Sequence, residues 1–339
     1  MQDVADRAGV SRMTVSRALR NHPEVSAARC REIARVAAEM GYKANPMVSA
    51  LMANLRASKN RTGTEILAFL TTHPDSQRWR RIPILNRFFT GAATRASELG
   101  FTLEEFCLPH SGMTEARLSG MLWARNIQGI LVAPAPHPGY RLELEWEKFA
   151  SVAIGFSVTH PKLHRVANHQ IHSLRTALEE ARTLGYRRLG LVMEQEHDRR
   201  VDHNWEMALL EFQNRIPKRT RIPILMPESV HFDNFRKWFE RHRPEVILAT
   251  TTKARSQITG WLKRLKLKVP GDVGFISLNK DRIDEDTSGI DQNPELVGAA
   301  AIELLAEQLY HNNRGLPKAP KVVLIEGCWV RGKTVRTVF

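Results

Sequence analysis

The chain has 339 residues, enough for two or three domains with cores of their own. Its 42% hydrophobic and 25% charged residues are an ordinary globular balance, and no run of about 18 apolar residues suggests a membrane span. The formal net charge of +14 suits a polyanion, and residues 1–60 are the densest part, with ten Lys/Arg against five acids.

The first residues are polar and charged where an export signal would be apolar, so a cytoplasmic location is expected. Cys30, Cys107 and Cys328 are odd in number and far apart, which reads as free thiols in a reducing compartment.

Residues 2–8 carry apolar positions at helical spacing, and Gly9 ends that helix. Ser11 is a good N-cap for a second helix running to about Arg20, closed by Asn21, His22 and Pro23. Ser26 caps a third, in which Ile33, Val36, Ala37 and Met40 recur at i, i+3, i+4 and i+7, and Gly41 stops it. Three short helices with a Gly-containing turn between the first two make a helix-turn-helix arrangement. Asn45 followed by Pro46 starts a further short helix, marginal on its own. Residues 56–63 are polar and read as a linker.

From Glu65 onward strands alternate with helices. Strands are expected at 66–70, 102–107, 129–133, 152–155, 189–193, 222–226, 246–250, 273–278 and 321–325. Helices are expected at 88–99, 115–125, 171–184, 203–215, 232–242, 254–265 and 294–310. Repeated β-α-β units imply parallel sheets with helices on both faces, here two doubly wound lobes with ligands at the carboxyl ends of the strands.

The opening stretch DVADRAGVSRMTVSR, residues 3–17, resembles the DNA-binding head of the lactose-repressor (LacI/GalR) family of bacterial transcription regulators. The resemblance continues through Gly41-Tyr42, the segment around Asn45 to Leu51, Pro270-Gly-Asp-Val273 and Arg331-Gly-Lys-Thr334. It implies a helix-turn-helix head over 1–44 and a hinge helix with linker over 45–62. The remaining 63–339 would form a two-lobed core like periplasmic binding proteins, its lobes crossing near 167–170, 279–294 and the C-terminus. It also implies a homodimer on a near-palindromic operator, read as a repressor, whose DNA affinity a small effector controls.

In such a head the start of the second helix meets base edges in the major groove. Arg12 can donate a bidentate pair to guanine, and Met13 offers apolar contact. Arg17 can reach a third base or a phosphate, while Ser11, Thr14 and Ser16 are short donors for phosphate oxygens. Arg20 and Asn21 are placed at the backbone. Val10, Val15, Ala18 and Leu19 face inward. In the hinge, Leu51 would wedge into a base step, with Asn45, Val48 and Ser49 at the groove. Ala44 stands where the family commonly has Pro before the hinge Asn.

The effector contacts implied are Thr71, His169, Arg199, Trp205, Thr250, Asn279 and Gln292. Carboxylates that clasp sugar hydroxyls in the family are missing: His169-Gln170 replaces an Asp-Asn pair, and Asn279 stands for a strand-end Asp. This leaves a sugar, a polyol or a sugar acid as the ligand, or a vestigial or non-sugar pocket. Less favoured are a solute-binding protein and a metal enzyme seeded by His160, His164, His169, His172, His197 and His203. No Cys-x-x-Cys, His-Glu-x-x-His, nucleophile elbow, GxGxxG or P-loop accompanies those histidines, so neither catalysis nor a metal or other cofactor is expected.

Overall fold

The computed structural model describes residues 2–19, 22, 24–42, 65–73, 79–108, 113–250, 252–280, 282 and 284–338. Arg20, Asn21, Asn45, Val48, Ser49 and Leu51, and with them the expected hinge helix, lie outside the described residues.

The head consists of α1 (Gln2–Arg7), α2 (Arg12–Ala18) and α3 (Ala27–Glu39). The Ser11 hydroxyl accepts from the Thr14 N–H at 3.1 Å, and the Ser26 hydroxyl from the Arg29 N–H at 3.3 Å. Each serine thereby satisfies a donor that the first helical turn leaves open. Gly9 and Gly41 adopt φ +62° and +65°. Beyond each, the next N–H turns back to the helix, Val10 to the Ala5 carbonyl and Tyr42 to the Ala37 carbonyl. This closure needs a left-handed residue, which glycine supplies without a Cβ penalty. Val4, Ala5, Val15, Ala18, Cys30, Ile33, Val36 and Ala37 form the head's core.

The body begins with β1 (Glu65–Thr71), α4 (Pro83–Glu98), β2 (Phe101–Cys107), α5 (Glu115–Ala124) and β3 (Gly129–Val132). Next come β4 (Tyr140–Arg141), β5 (Ala150–Ile154), β6 (Val158–His160) and β7 (His164–Asn168). The second lobe contains α6 (Gln170–Thr183), β8 (Leu189–Val192), α7 (Gln195–Arg199), α8 (Asn204–Asn214), α9 (Phe232–His242), β9 (Val246–Ala249), α10 (Thr252–Arg264), β10 (Gly274–Ser277) and β11 (Gly289–Asp291). The chain closes with α11 (Pro294–Tyr310), β12 (Val322–Ile325) and β13 (Cys328–Val330).

Six strands form a parallel sheet in the order β12-β7-β5-β3-β1-β2. Five form a second sheet, β13-β11-β10-β9-β8, in which only β13 runs antiparallel. Both faces of the middle strands β1, β3 and β5 of the first sheet are buried. Leu67, Phe69, Leu131, Val152 and Ile154 pack under α4 and α11, while Ala68, Leu70, Ile130, Val132 and Ala153 pack under α5. That is why these strands read as nearly unbroken apolar runs. The second sheet is covered by α6 and α8 on one face and by α9 and α10 on the other. The chain passes between the sheets three times, after Asn168, after Asp291 and after Ile325.

Several expectations need correction. The strand expected at 222–226 reduces to a single bridge between Val192 and Leu225, because the segment passes beyond β8 at the sheet edge. The helix expected from 88 begins at Pro83, where the missing N–H of proline costs nothing in a first turn. Strands β4, β6, β7, β11 and β13 and the short α7 were not expected. They are two to five residues long, and β7 (HRVAN) is polar in composition although four of its five residues are buried.

Candidate functional site

Two sites stand out. The first is the outer face of α2. Val15 and Ala18 turn into the head's core, so positions 12, 13, 16 and 17 fall on the other side of the helix. Arg12 is exposed, and Met13 is 63% exposed. An apolar side chain this open on a stable helix is available for contact with something outside the chain. Arg17 pairs with Glu24 at 2.5 Å. Ser11 and Thr14 hydroxyls lie 2.9 Å apart, so both are partly engaged in the cap. Ser16 is half-buried on the same face.

The second site is a cleft of about 990 Å³ between the two lobes. Its walls are the carboxyl ends of the strands. His73 follows β1, Pro134 and Pro136 follow β3, and Gly155, Phe156 and Ser157 follow β5. Opposite them Thr250 follows β9, Asn279 follows β10 and Gln292 follows β11. Strand ends of parallel sheets leave loops and helix N-termini facing one crevice, which suits ligand binding.

Four of the seven expected effector residues line this cleft: Trp205, Thr250, Asn279 and Gln292. Trp205 is buried, and its N–H and that of Glu206 donate to the Asp198 carboxylate at 3.1 Å. Thr250 lies 3.3 Å from Nδ1 of His197. Gln292 donates to the Leu278 carbonyl, and its own carbonyl accepts from Asn168 at 2.7 Å. Thr71, His169 and Arg199 are off the cleft wall. Thr71 is buried at the end of β1, and His73 reaches the cleft instead. His169 caps α6, its Nδ1 accepting from the His172 N–H at 3.3 Å. Its neighbours Asn168 and Gln170 line the cleft. Arg199 bonds back to Gln195, whereas Arg200 faces the cleft and donates to the Pro136 carbonyl across the lobes.

Among the described residues that line the cleft, Arg81, Arg87, Arg200 and Lys280 stand against one carboxylate, Glu196. Arg87 is held by Asp291 at 3.0 Å and Glu295 at 2.6 Å. Burial pushes the Arg200 pKa down against the pull of Glu196, and it lowers that of His197 against Glu194 and Glu196, with Arg200 assisting. Arg165, buried behind Gly155, donates to the Gly155 and Val158 carbonyls and lies 5.4 Å from the Phe156 ring centroid, and burial lowers its pKa as well. These shifts share one leading cause: Arg200, His197 and Arg165 sit in poorly solvated positions, which disfavours their charged forms.

The six histidines from 160 to 203 do not assemble as a metal centre among the described residues. Nδ1 of His164 accepts from the Lys321 N–H, and the rings of His169 and His172 are 5.8 Å apart. Asp198, His203 and Glu206 do come within 4.8 Å of one another. The Asp198 carboxylate there already takes two backbone N–H groups and the His203 ring, so it serves as the cap of α8.

Residues 1–45 match the bacterial regulatory proteins of the lacI family, and residues 178–335 match the periplasmic binding protein-like domain. The chain thus joins a head that matches the lacI family to a body that matches the periplasmic binding protein-like domain. The HTH-type transcriptional regulator GntR of Escherichia coli (strain K12) is 33% identical over 145 residues, 42% of this chain and 39% of that protein. The match thus spans well under half the length of this relative. Solved structures extend the likeness to the whole fold. The transcriptional regulator CelR in complex with cellobiose has a TM-score of 0.59 at 19% identity, covering 98% of both chains. The lac repressor dimer bound to operator and the anti-inducer ONPF has a TM-score of 0.57 at 18% identity, again over 98% of both. The family consists of regulators, and no described helix is long and apolar enough to cross a membrane.

Proposed function

We propose that the protein is a sequence-specific DNA-binding transcription regulator of the lacI type, acting as a repressor. A homodimer would present two α2 faces to a near-palindromic operator. Arg12 and Met13 would read bases, with Arg17, Ser16 and Arg20 as flanking contacts and the segment around Leu51 as the minor-groove hinge. The observation that carries this reading is the exposed Arg12–Met13 face on a capped second helix, within a segment that matches the family's DNA-binding region.

The interlobe cleft would hold the effector, a sugar or sugar derivative. One structural relative carries cellobiose, a neutral sugar. Here the excess of Arg and Lys on the cleft wall favours a sugar acid over a neutral sugar or polyol. Closure of the lobes on such a ligand would act on contacts that already bridge them, Arg200 to the Pro136 carbonyl and His137 to Glu196 at 3.3 Å. DNA affinity would change because ligand and operator favour different lobe arrangements.

A thermal-shift screen against sugars, sugar acids and polyols tests this, with each hit retested on selected operator DNA. Stabilisation by sugar acids together with a change in operator affinity is expected. Arg200→Gln should weaken the hit about 10- to 100-fold, the worth of one hydrogen bond to a charged group. Tight operator binding with no stabilising compound would make the cleft vestigial or fitted to a non-sugar ligand. Absence of any sequence preference in DNA binding would overturn the regulator reading itself.

A further inference from the structure

The second lobe carries a concentration of positive charge that neither the head nor the cleft uses. Arg187 and Arg188 precede β8, Lys218 and Arg219 occupy the 3-10 turn Lys218–Thr220, and Arg241 and Arg243 lie at the end of α9. Strand starts and helix ends of a parallel α/β sheet share one edge, so these segments lie at the opposite end of the second sheet from the cleft. The Arg188 guanidinium fastens them together, donating to the backbone carbonyls of Arg219, His242 and Arg243.

Five of the six cations, all but Arg188, are exposed. Among the described residues none of those five forms a salt bridge. Carboxylates at this edge include Glu240, Glu245 and Asp272; Glu245 is already engaged by the N–H groups of Arg187 and Arg188 at 2.6 and 3.1 Å, and Asp272 by that of Lys268 at 2.8 Å. Burial, Arg241 and Arg188 together push the pKa of the His242 imidazole down, as a positive field does to a neighbouring base.

We propose that this arginine-rich end of the second lobe binds a second segment of double-stranded DNA through its phosphates. Guanidinium groups match phosphate oxygens in paired geometry, and a row of them neutralises a backbone without reading sequence. A protein partner or a bilayer would need an apolar anchor. The three segments offer none: the exposed apolar side chains closest in sequence, Met207 and Leu210, lie on α8. The inference goes beyond the head's proposed operator contact, and the two can fail separately.

The test uses the full chain and a 60-base-pair duplex without an operator, with affinity measured by fluorescence anisotropy between 50 and 200 mM salt. Wild type is compared with the Lys218→Ala/Arg219→Ala/Arg241→Ala variant. Each phosphate contact contributes about 0.9 to the slope of log affinity against log salt, so the triple variant should lose about 2 to 3 in slope. Its preference for operator over non-operator DNA should persist. An unchanged slope with operator preference intact overturns the second surface and leaves the head's role standing. Should the variant misfold, acetylation of Lys218 in the wild-type protein, followed by mass spectrometry, decides the matter. Protection by the duplex supports the proposal. Equal reactivity with and without DNA, or protection by anionic lipid vesicles in place of DNA, refutes it.

Discussion

Arg12 and Arg17 share one face of α2 but differ in surroundings. Arg12 is open, whereas Arg17 is held by Glu24 in a pair whose side chains are 40% and 59% exposed. An exposed pair of this kind contributes only about 0–1 kcal/mol, so a phosphate could take Arg17 from Glu24 at little cost. Arg12 needs no such exchange. Arg12→Ala is expected to cost about 1–3 kcal/mol in operator affinity and to relax the preference at one base position. Selection of binding sites from random DNA with the variant would show this, and an unchanged site motif would remove Arg12 from base reading. At this scale the sequence was most legible where spacing is local: Val15 and Ala18 inward, Ser11 at the cap. It was least legible in the cleft. One residue along a helix is a rotation of about 100°, enough to turn Arg199 back toward Gln195 and Arg200 to the cleft.

Helices α4 and α11 meet backbone to backbone. A Cβ on Gly298 would stand 2.1 Å from the Phe88 carbonyl oxygen, and one on Gly91 would stand 2.0 Å from that of Glu295. Neither oxygen can swing away as a side-chain tip could, so a methyl group there must part the helices. Gly298→Ala is expected to destabilise the first lobe by about 1–3 kcal/mol, seen as a lower urea midpoint. A midpoint equal to wild type would mean that the helices separate freely. The long elements with clear periodicity, such as Phe232–His242 and Pro294–Tyr310, were readable to the residue. The short strands were not, because β7, β11 and β13 are defined by neighbours far along the chain and not by their own composition. Buried Arg165 in β7 is the clearest instance: its charge argues for a surface loop, and the Gly155 and Val158 carbonyls together with the Phe156 ring make its position tolerable.

Across the whole molecule, His164, His169, His197 and His242 all have pKa values lowered first of all by burial. In the unfolded chain these imidazoles titrate near 6.5. Below that pH, and down to their folded values, the unfolded chain holds more protons than the folded one. Stability is therefore full above about pH 6.5 and declines as the pH falls through that window. Asp291 behaves differently. Burial opposes its charge, but Arg282, the Asn293 N–H and Arg87 together outweigh burial and hold its pKa below the usual carboxylate range. Its contribution persists until much lower pH. The melting temperature should be nearly level from pH 8 to 7 and then fall between pH 6.5 and 5.5 in a buffer of constant ionic strength. A level profile across that range would show the imidazoles titrating as in free solution. The two-lobed plan was legible from the alternation of strands and helices. The small connecting strands around the crossings were not, since crossing segments have no periodicity that separates them from ordinary loops.

The three passages between the lobes set an order on synthesis. The face of the first sheet that holds Leu131, Val152 and Val166 is covered by Val297, Ala301, Ile302 and Leu305, which follow β8 to β11 of the second lobe in the chain. A growing polypeptide therefore exposes this apolar face while more than a hundred further residues are translated. The second lobe can gather its four parallel strands in that interval, and the first must wait for α11 and β12. A chain halted near residue 290 would leave the ribosome with the older half unfinished, a natural substrate for chaperones and proteases.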